Sequence, residues 1–168
     1  VFDWNSEGNE KDTIMTPLDS IRYYKSFLRT AMMSMEPQTG HVKAWVGGLN
    51  YKHFQYDNVI QGARQAGSTF KPFVYAAAID QLRLSPCETF YDDEYCIEAG
   101  KHGNPEAWCP KNSDGKYTLK NMTLKTALAG SVNTVTAQLM DKVGPKPVAL
   151  MAKNMGITRE IPDQRQEP

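Results

Sequence analysis

Arg64-Gln65-Ala66-Gly67-Ser68-Thr69-Phe70-Lys71-Pro72 leads into the most apolar helical stretch of the chain, and the fold turns on how it is read. Phe70, Phe73, Val74, Ala77, Ala78 and Leu82 recur at helical spacing and predict a helix over 68–82. Ala76, Ala77 and Ala78 let other elements approach closely, so this helix is expected to be central and buried. On it, Lys71 lies one turn on from Ser68, on the same face. A serine at a helix N-terminus gains from the positive dipole end, which favours developing negative charge. A lysine that loses hydration has a lowered pKa and can act as a base. The same residues also fit an ordinary serine cap with a lysine reaching to water. A second Ser-x-x-Lys, Ser113-Asp114-Gly115-Lys116, falls on an Asn-Ser-Asp-Gly turn, where no helix holds the lysine over the serine.

Working outward, residues 1–15 read as an extended arm or linker and 16–168 as one partial domain. Thr16-Pro17-Leu18-Asp19 is a helix start, with Thr as cap and Pro in the first turn. Leu18, Ile21, Lys25 and Leu28 share a face of that helix, expected to pack on a sheet. Ala31–Met35 and His41–Val46 flank the turn Glu36-Pro37-Gln38-Thr39-Gly40 and predict a β-hairpin ending at Gly47-Gly48. Ser85 to Tyr117 reads as loop. Helices are expected at 123–129, 134–143 and 147–155, the last capped by Gly156.

The chain has 168 residues, 40% apolar and 23% charged, which predicts a globular body rather than disorder. Lys plus Arg equals Asp plus Glu, and the zero net charge argues against a nucleic-acid surface. No apolar run approaches the length of a membrane span. Val1 is not a natural start, which leaves room for an anchor or export signal outside this chain. His41, His53 and His102 are scattered and read as surface residues, with no metal or cofactor expected. Met32, Met33, Met35, Met140, Met151 and Met155 read as core filler, and Tyr23, Tyr24 and Trp45 as packing residues.

Ser131-Val132-Asn133 is the single Ser-x-Asn of the chain and lies between two helical segments. A hydroxyl and a carboxamide two residues apart can both point into a cleft, one relaying a proton and the other holding a peptide-like ligand. Capping of the following helix by Asn133 explains the pair equally well when it is taken alone.

Taken together, Ser-x-x-Lys followed by Ser-x-Asn resembles the penicillin-binding proteins and serine β-lactamases. Three further segments carry the resemblance: Glu36–Gly48, Arg64–Pro72, and Trp108-x-Pro110-x-Asn112-x-Asp114-Gly115-x-Tyr117. It extends from about Thr16 to Ile157 and is closest to the transpeptidase domain of class A, bifunctional enzymes. The resemblance implies an α+β transpeptidase fold, truncated, with an antiparallel hairpin of the central sheet and a helical subdomain. It implies Ser68 as acylated nucleophile, Lys71 as base, Ser131 as proton relay and Asn133 as substrate-binding residue. Peptidoglycan stem peptides and β-lactams are the implied partners. The implied location is the periplasmic or extracytoplasmic face of a bacterial inner membrane, in a parent that carries an anchor and a glycosyltransferase domain.

The family's third motif, Lys-Thr-Gly, is absent; Lys125-Thr126-Ala127 precedes Ser131 and lies on a predicted helix. A fragment of the domain is therefore expected. A β-lactamase, a D,D-carboxypeptidase and a non-catalytic β-lactam sensor are the alternatives. Glu167-Pro168 has about the spacing of a β-lactamase's deacylating glutamate, but Val132 stands where an Asp is usual in that class.

Cys87, Cys96 and Cys109 do not have zinc-ribbon spacing and allow one disulfide and a free thiol, or three thiols in a cytosolic protein. An extracytoplasmic family favours the disulfide. Residues 94–97 and 107–109 read as a hairpin around 100–104, which sets Cys96 opposite Cys109 and leaves Cys87 free.

Overall fold

A computed structural model describes residues 1–159 and 161, and the chain divides into two compact units, Val1–Gln65 and Ala66–Pro168. Glu167-Pro168 lies outside the described residues. The architecture is α+β.

In the first unit, residues 1–11, read from sequence as part of an arm, close into a loop. Phe2 bridges to Glu10, and the Lys11 N–H donates to the Val1 carbonyl at 2.9 Å. The cause is Phe2, which is 1% exposed and meets the rings of Trp4, Phe27 and Phe54 edge-on at 5.0, 5.3 and 5.3 Å. Such a pair contributes about 0.5–1.5 kcal/mol beyond simple burial. Helix α1 (Pro17–Ser26) starts as expected, Thr16 Oγ1 accepting from the Asp19 N–H. Its inward face is not the expected one. Tyr23 and Tyr24 join the ring cluster, and the Tyr23 hydroxyl donates to the Phe2 carbonyl at 2.7 Å. Leu18, Ile21 and Leu28 stay exposed, with no sheet over them among the described residues.

Strands β1 (Met32–Met35) and β2 (Val42–Val46) pair antiparallel, with Met32 opposite Val46. Gly40 closes their turn at φ 73°, a left-handed conformation that favours glycine. Met32, Met33 and Met35 are exposed rather than core filler. The sheet has only these two strands among the described residues, and a two-stranded ribbon alone has two open faces.

The second unit opens with a 3₁₀ turn at Gly67–Phe70, followed by α2 (Lys71–Leu82). Strands β3 (Thr89–Tyr91) and β4 (Asn121–Thr123) form a separate antiparallel pair. Helices α3 (Leu124–Ala129), α4 (Asn133–Val143) and α5 (Pro145–Asn154) complete it. Helix α2 is central and packs against all three. Val74, Tyr75, Ala77 and Ala78 meet Leu124, Ala127, Val135, Leu139 and Val148 there. The predicted helix at 68–82 thus begins as a tighter 3₁₀ turn. Helix α5 starts two residues before the predicted Pro147, since Gly144 (φ 81°) and Pro145 set its first turn. Met140 and Met151 pack against the core, while Met155 is exposed.

The stretch read as loop holds β3 and the Cys96–Cys109 disulfide, with Cα atoms 4.2 Å apart. Ile97 and Trp108 exchange backbone hydrogen bonds at 2.9 Å beside it, which is the predicted register, and Cys87 is free and exposed. Of the histidines only His41 is fully at the surface. His53 pairs with Glu10, and His102 with Asp141.

Candidate active site

Ser68, Lys71 and Asn133 line one cavity of about 340 Å³ in the second unit. Its remaining walls are largely apolar, built from Phe70, Val74, Trp108, Pro110, Ala137 and Met140. Ser68 is solvent-exposed in the 3₁₀ turn. Gly67 before it has φ 55°, which a side chain would strain. The first turn of α2 places Lys71 so that it is only 7% exposed.

Burial obliges the lysine to find acceptors. Its Nζ donates to the Ser131 carbonyl at 2.5 Å, to Ser131 Oγ at 3.0 Å and to Asn133 Oδ1 at 2.6 Å. All three are neutral oxygens, and among the described residues no carboxylate pairs with the amine. Desolvation therefore pushes the Lys71 pKa below the usual lysine value. Sequence spacing suggested a lysine set over Ser68. Among the described residues, its hydrogen bonds go instead to the Ser-x-Asn segment some 60 residues on.

That segment is shaped to receive it. Ser131 has φ 52°, left-handed for a residue with a side chain, in the turn between α3 and α4. Such a conformation costs on the order of 1–3 kcal/mol and persists only where its surroundings hold it. Here the Ser131 and Val132 N–H groups are tied to the Leu128 and Ala127 carbonyls. Asn133 does not cap α4 with its side chain. Its Nδ2 donates to the Lys111 carbonyl at 2.7 Å, which turns Oδ1 toward Lys71.

The capping is done by Asn112, whose Oδ1 accepts from the Asn133 N–H at 2.9 Å. Asn112 Nδ2 donates to Asp92 Oδ1, also at 2.9 Å. Asp92 is fully buried and also accepts from Thr134 Oγ1 at 2.5 Å and the Thr118 N–H at 2.8 Å. Burial alone would raise its pKa. The hydrogen bonds from Thr134, Thr118 and Asn112 outweigh that and hold it below the usual aspartate value. Sequence reasoning did not single out Asp92 or the role of Asn112. The Pro110-x-Asn112-x-Asp114 segment was the available signal for Asn112, and nothing local marks Asp92.

Ser113 and Lys116 lie in a turn in which the Gly115 N–H donates to the Asn112 carbonyl, and both are exposed. The second Ser-x-x-Lys builds no such cluster.

Comparison with known proteins identifies the family to which this fold belongs. The description "Penicillin binding protein transpeptidase domain" matches residues 30–165, and "Penicillin-binding protein middle domain" matches residues 1–28. The chain belongs to the penicillin-binding protein transpeptidase family, on its class A branch. It is 39% identical over 117 residues to penicillin-binding protein 1A of Neisseria flavescens, covering 70% of this chain and 14% of that protein. It is 38% identical over 130 residues to penicillin-binding protein 1A of Rickettsia prowazekii, covering 77% of this chain and 16% of that one. The crystal structure of penicillin-binding protein 1A from Haemophilus influenzae superposes with a TM-score of 0.66 at 28% identity, over 76% of this chain and 18% of that chain. The chain thus spans a small part of the relatives it matches.

Proposed function

We propose that this chain is the nucleophile-bearing part of a peptidoglycan D,D-transpeptidase, and that Ser68 is its acylation site. The supporting observation is the Lys71 amine, desolvated, without a carboxylate partner among the described residues, bonded to Ser131 and Asn133 and sharing a cavity with Ser68. Three donated hydrogen bonds use every proton of an ammonium group. As a neutral amine, Lys71 keeps two and turns a lone pair outward, and the long bond to Ser131 Oγ is the one to give up. Ser68 Oγ then attacks the carbonyl carbon of a D-Ala-D-Ala terminus as its proton passes to Lys71 Nζ. The C–N bond breaks, and the proton travels through Ser131 Oγ to the departing D-Ala amine. An amine of a second stem peptide attacks the ester, gives up a proton and leaves Ser68 protonated with the cross-link made. Asn133 holds the peptide amide, and the Ser68 N–H supplies one oxyanion donor. A β-lactam acylates the same oxygen, its ring nitrogen taking the leaving-group proton.

The parent protein is placed by this reading on the extracytoplasmic face of the bacterial inner membrane, held by a segment outside this chain, with a glycosyltransferase domain. No nucleic acid or cofactor takes part. The transpeptidase is read over residues 30–165, with residues 1–28 belonging to the middle domain before it.

Labelling the full-length parent with a fluorescent penicillin tests the assignment. Ser68→Ala should abolish the label and Ser113→Ala should keep it. Label retained in Ser68→Ala refutes the nucleophile.

A further inference from the structure

The disulfide cysteines do not line the cavity, but the backbone they fix leads to Asn133, which does. Two residues beyond Cys109, the Lys111 carbonyl accepts from Asn133 Nδ2. A carboxamide can sit either way round, and its neighbours decide which. With Nδ2 on a carbonyl, Oδ1 faces the Lys71 amine; reversed, an NH₂ would face the amine and an oxygen would face an oxygen. The Lys111 carbonyl is therefore the group that orients Asn133, and it belongs to an exposed residue positioned only by its backbone.

That backbone is held from two sides. Asn112, next along, is bonded to the buried Asp92. On the other side Cys109 is cross-linked to Cys96, whose neighbour Tyr95 donates through its hydroxyl to Asp141 Oδ2 at 2.6 Å. Asp141 lies near the C-terminal end of α4 and Asn133 begins it. The disulfide thus completes a brace from one end of α4, across Tyr95, Cys96, Cys109 and Lys111, to the other. Trp108 and Pro110, on the same braced segment, wall the cavity beside Ser68.

We propose that the Cys96–Cys109 disulfide is a positioning element of the active site: it holds the Lys111 carbonyl so that the Asn133 carboxamide presents its oxygen to Lys71. The inference rests on the acyl-transfer reading above and extends it to residues that touch neither substrate nor nucleophile. Both cysteines are exposed, so a reductant reaches the bond and the device is redox-sensitive.

The test is a double-mutant cycle in the full-length parent, with the free Cys87 replaced by Ala to prevent thiol exchange. Penicillin acylation is followed by fluorescence and resolved into binding and acylation constants for four proteins: the reference, Cys96→Ser/Cys109→Ser, Asn133→Ala, and all three together. Circular dichroism checks that each is folded. Misplacement of a catalytic group by about 1 Å can cost about 100-fold, so removing the disulfide should slow acylation by about 10- to 100-fold. In the Asn133→Ala background the same removal should cost less than about twofold, because the group it positions is gone. An unchanged rate without the disulfide overturns the proposal. So does an equal loss in both backgrounds, which marks a bond that merely supports the fold. If the double variant does not fold, the folded reference is reduced with a trialkylphosphine, which takes oxygen from water as the two thiols form, and is then reoxidised. Acylation should fall and recover; a rate unmoved after complete reduction by mass is equally fatal. Absence of label in the reference itself refutes the acyl-transfer reading, and with it this one. Label in the reference together with any of the contrary results above refutes this inference alone.

Discussion

The β1–β2 hairpin and the α2–α5 bundle are both rich in apolar side chains, yet they dispose of them in opposite ways. In the bundle, Ala77, Ala78, Leu124, Val135, Leu139 and Val148 are all at most 5% exposed. In the hairpin, Met32, Met35, Val42 and Val46 are each around half exposed although pairing and turn are well formed. Backbone hydrogen bonds make a hairpin, but they do not cover it; only a third layer does. Of the catalytic candidates, Lys71 lies where the bundle covers it, while Ser68 stays open to solvent. Lys71 has its lowered pKa because the bundle buries it.

The sharpest way to break this contrast is with matched truncations. Leu139→Ala removes a fully buried side chain and should destabilise the chain by about 2–5 kcal/mol, against about 0.5 kcal/mol or less for Val42→Thr in the hairpin. Equilibrium unfolding in urea measures both, and similar losses would show that the hairpin is as firmly packed as the bundle. A smaller effect sharpens the account of the bundle's polar interior. Asp92→Asn puts an NH₂ where donors now converge and should cost about 1–3 kcal/mol. The folded pKa of Asp92 lies below its unfolded value. Its contribution is therefore fully present above the ordinary aspartate range and fades as pH falls through the lowered folded value. Acid unfolding should accordingly begin at higher pH in Asp92→Asn than in the parent sequence, and coincident acid transitions would deny Asp92 that role.

The features legible in the sequence were the local ones. A 3.6-residue period and terminal Pro and Gly residues gave the helices to within three residues, and Glu36–Gly40 gave the hairpin. Equal spacing about 100–104 paired Cys96 with Cys109. Period says which residues share a face, not whether anything lies against it, so Leu18 and Ile21 and the hairpin methionines were expected inside and lie outside. Strands β3 and β4 have three residues each, too few for alternation to register. The ring cluster of Phe2, Phe27 and Phe54 joins residues up to 52 positions apart, and Asp92 reaches Thr134 across 42. No local pattern encodes such contacts. Ser68 and Lys71 could be singled out because their motif is contiguous. That Ser131 and Asn133 belong to the same site came from family resemblance, and the hydrogen bonds of Lys71 to both were not foreseen.

The central claim is that burial makes Lys71 the base for Ser68, and the pH dependence of penicillin acylation tests it most directly. In the full-length parent, the second-order acylation rate should rise with pH along a limb whose midpoint lies below the ordinary lysine pKa, as Lys71 loses its proton. Lys71→Ala should slow acylation by about 100-fold or more and remove that limb. A limb that survives unchanged in Lys71→Ala, or a midpoint at the ordinary lysine value, would contradict the account.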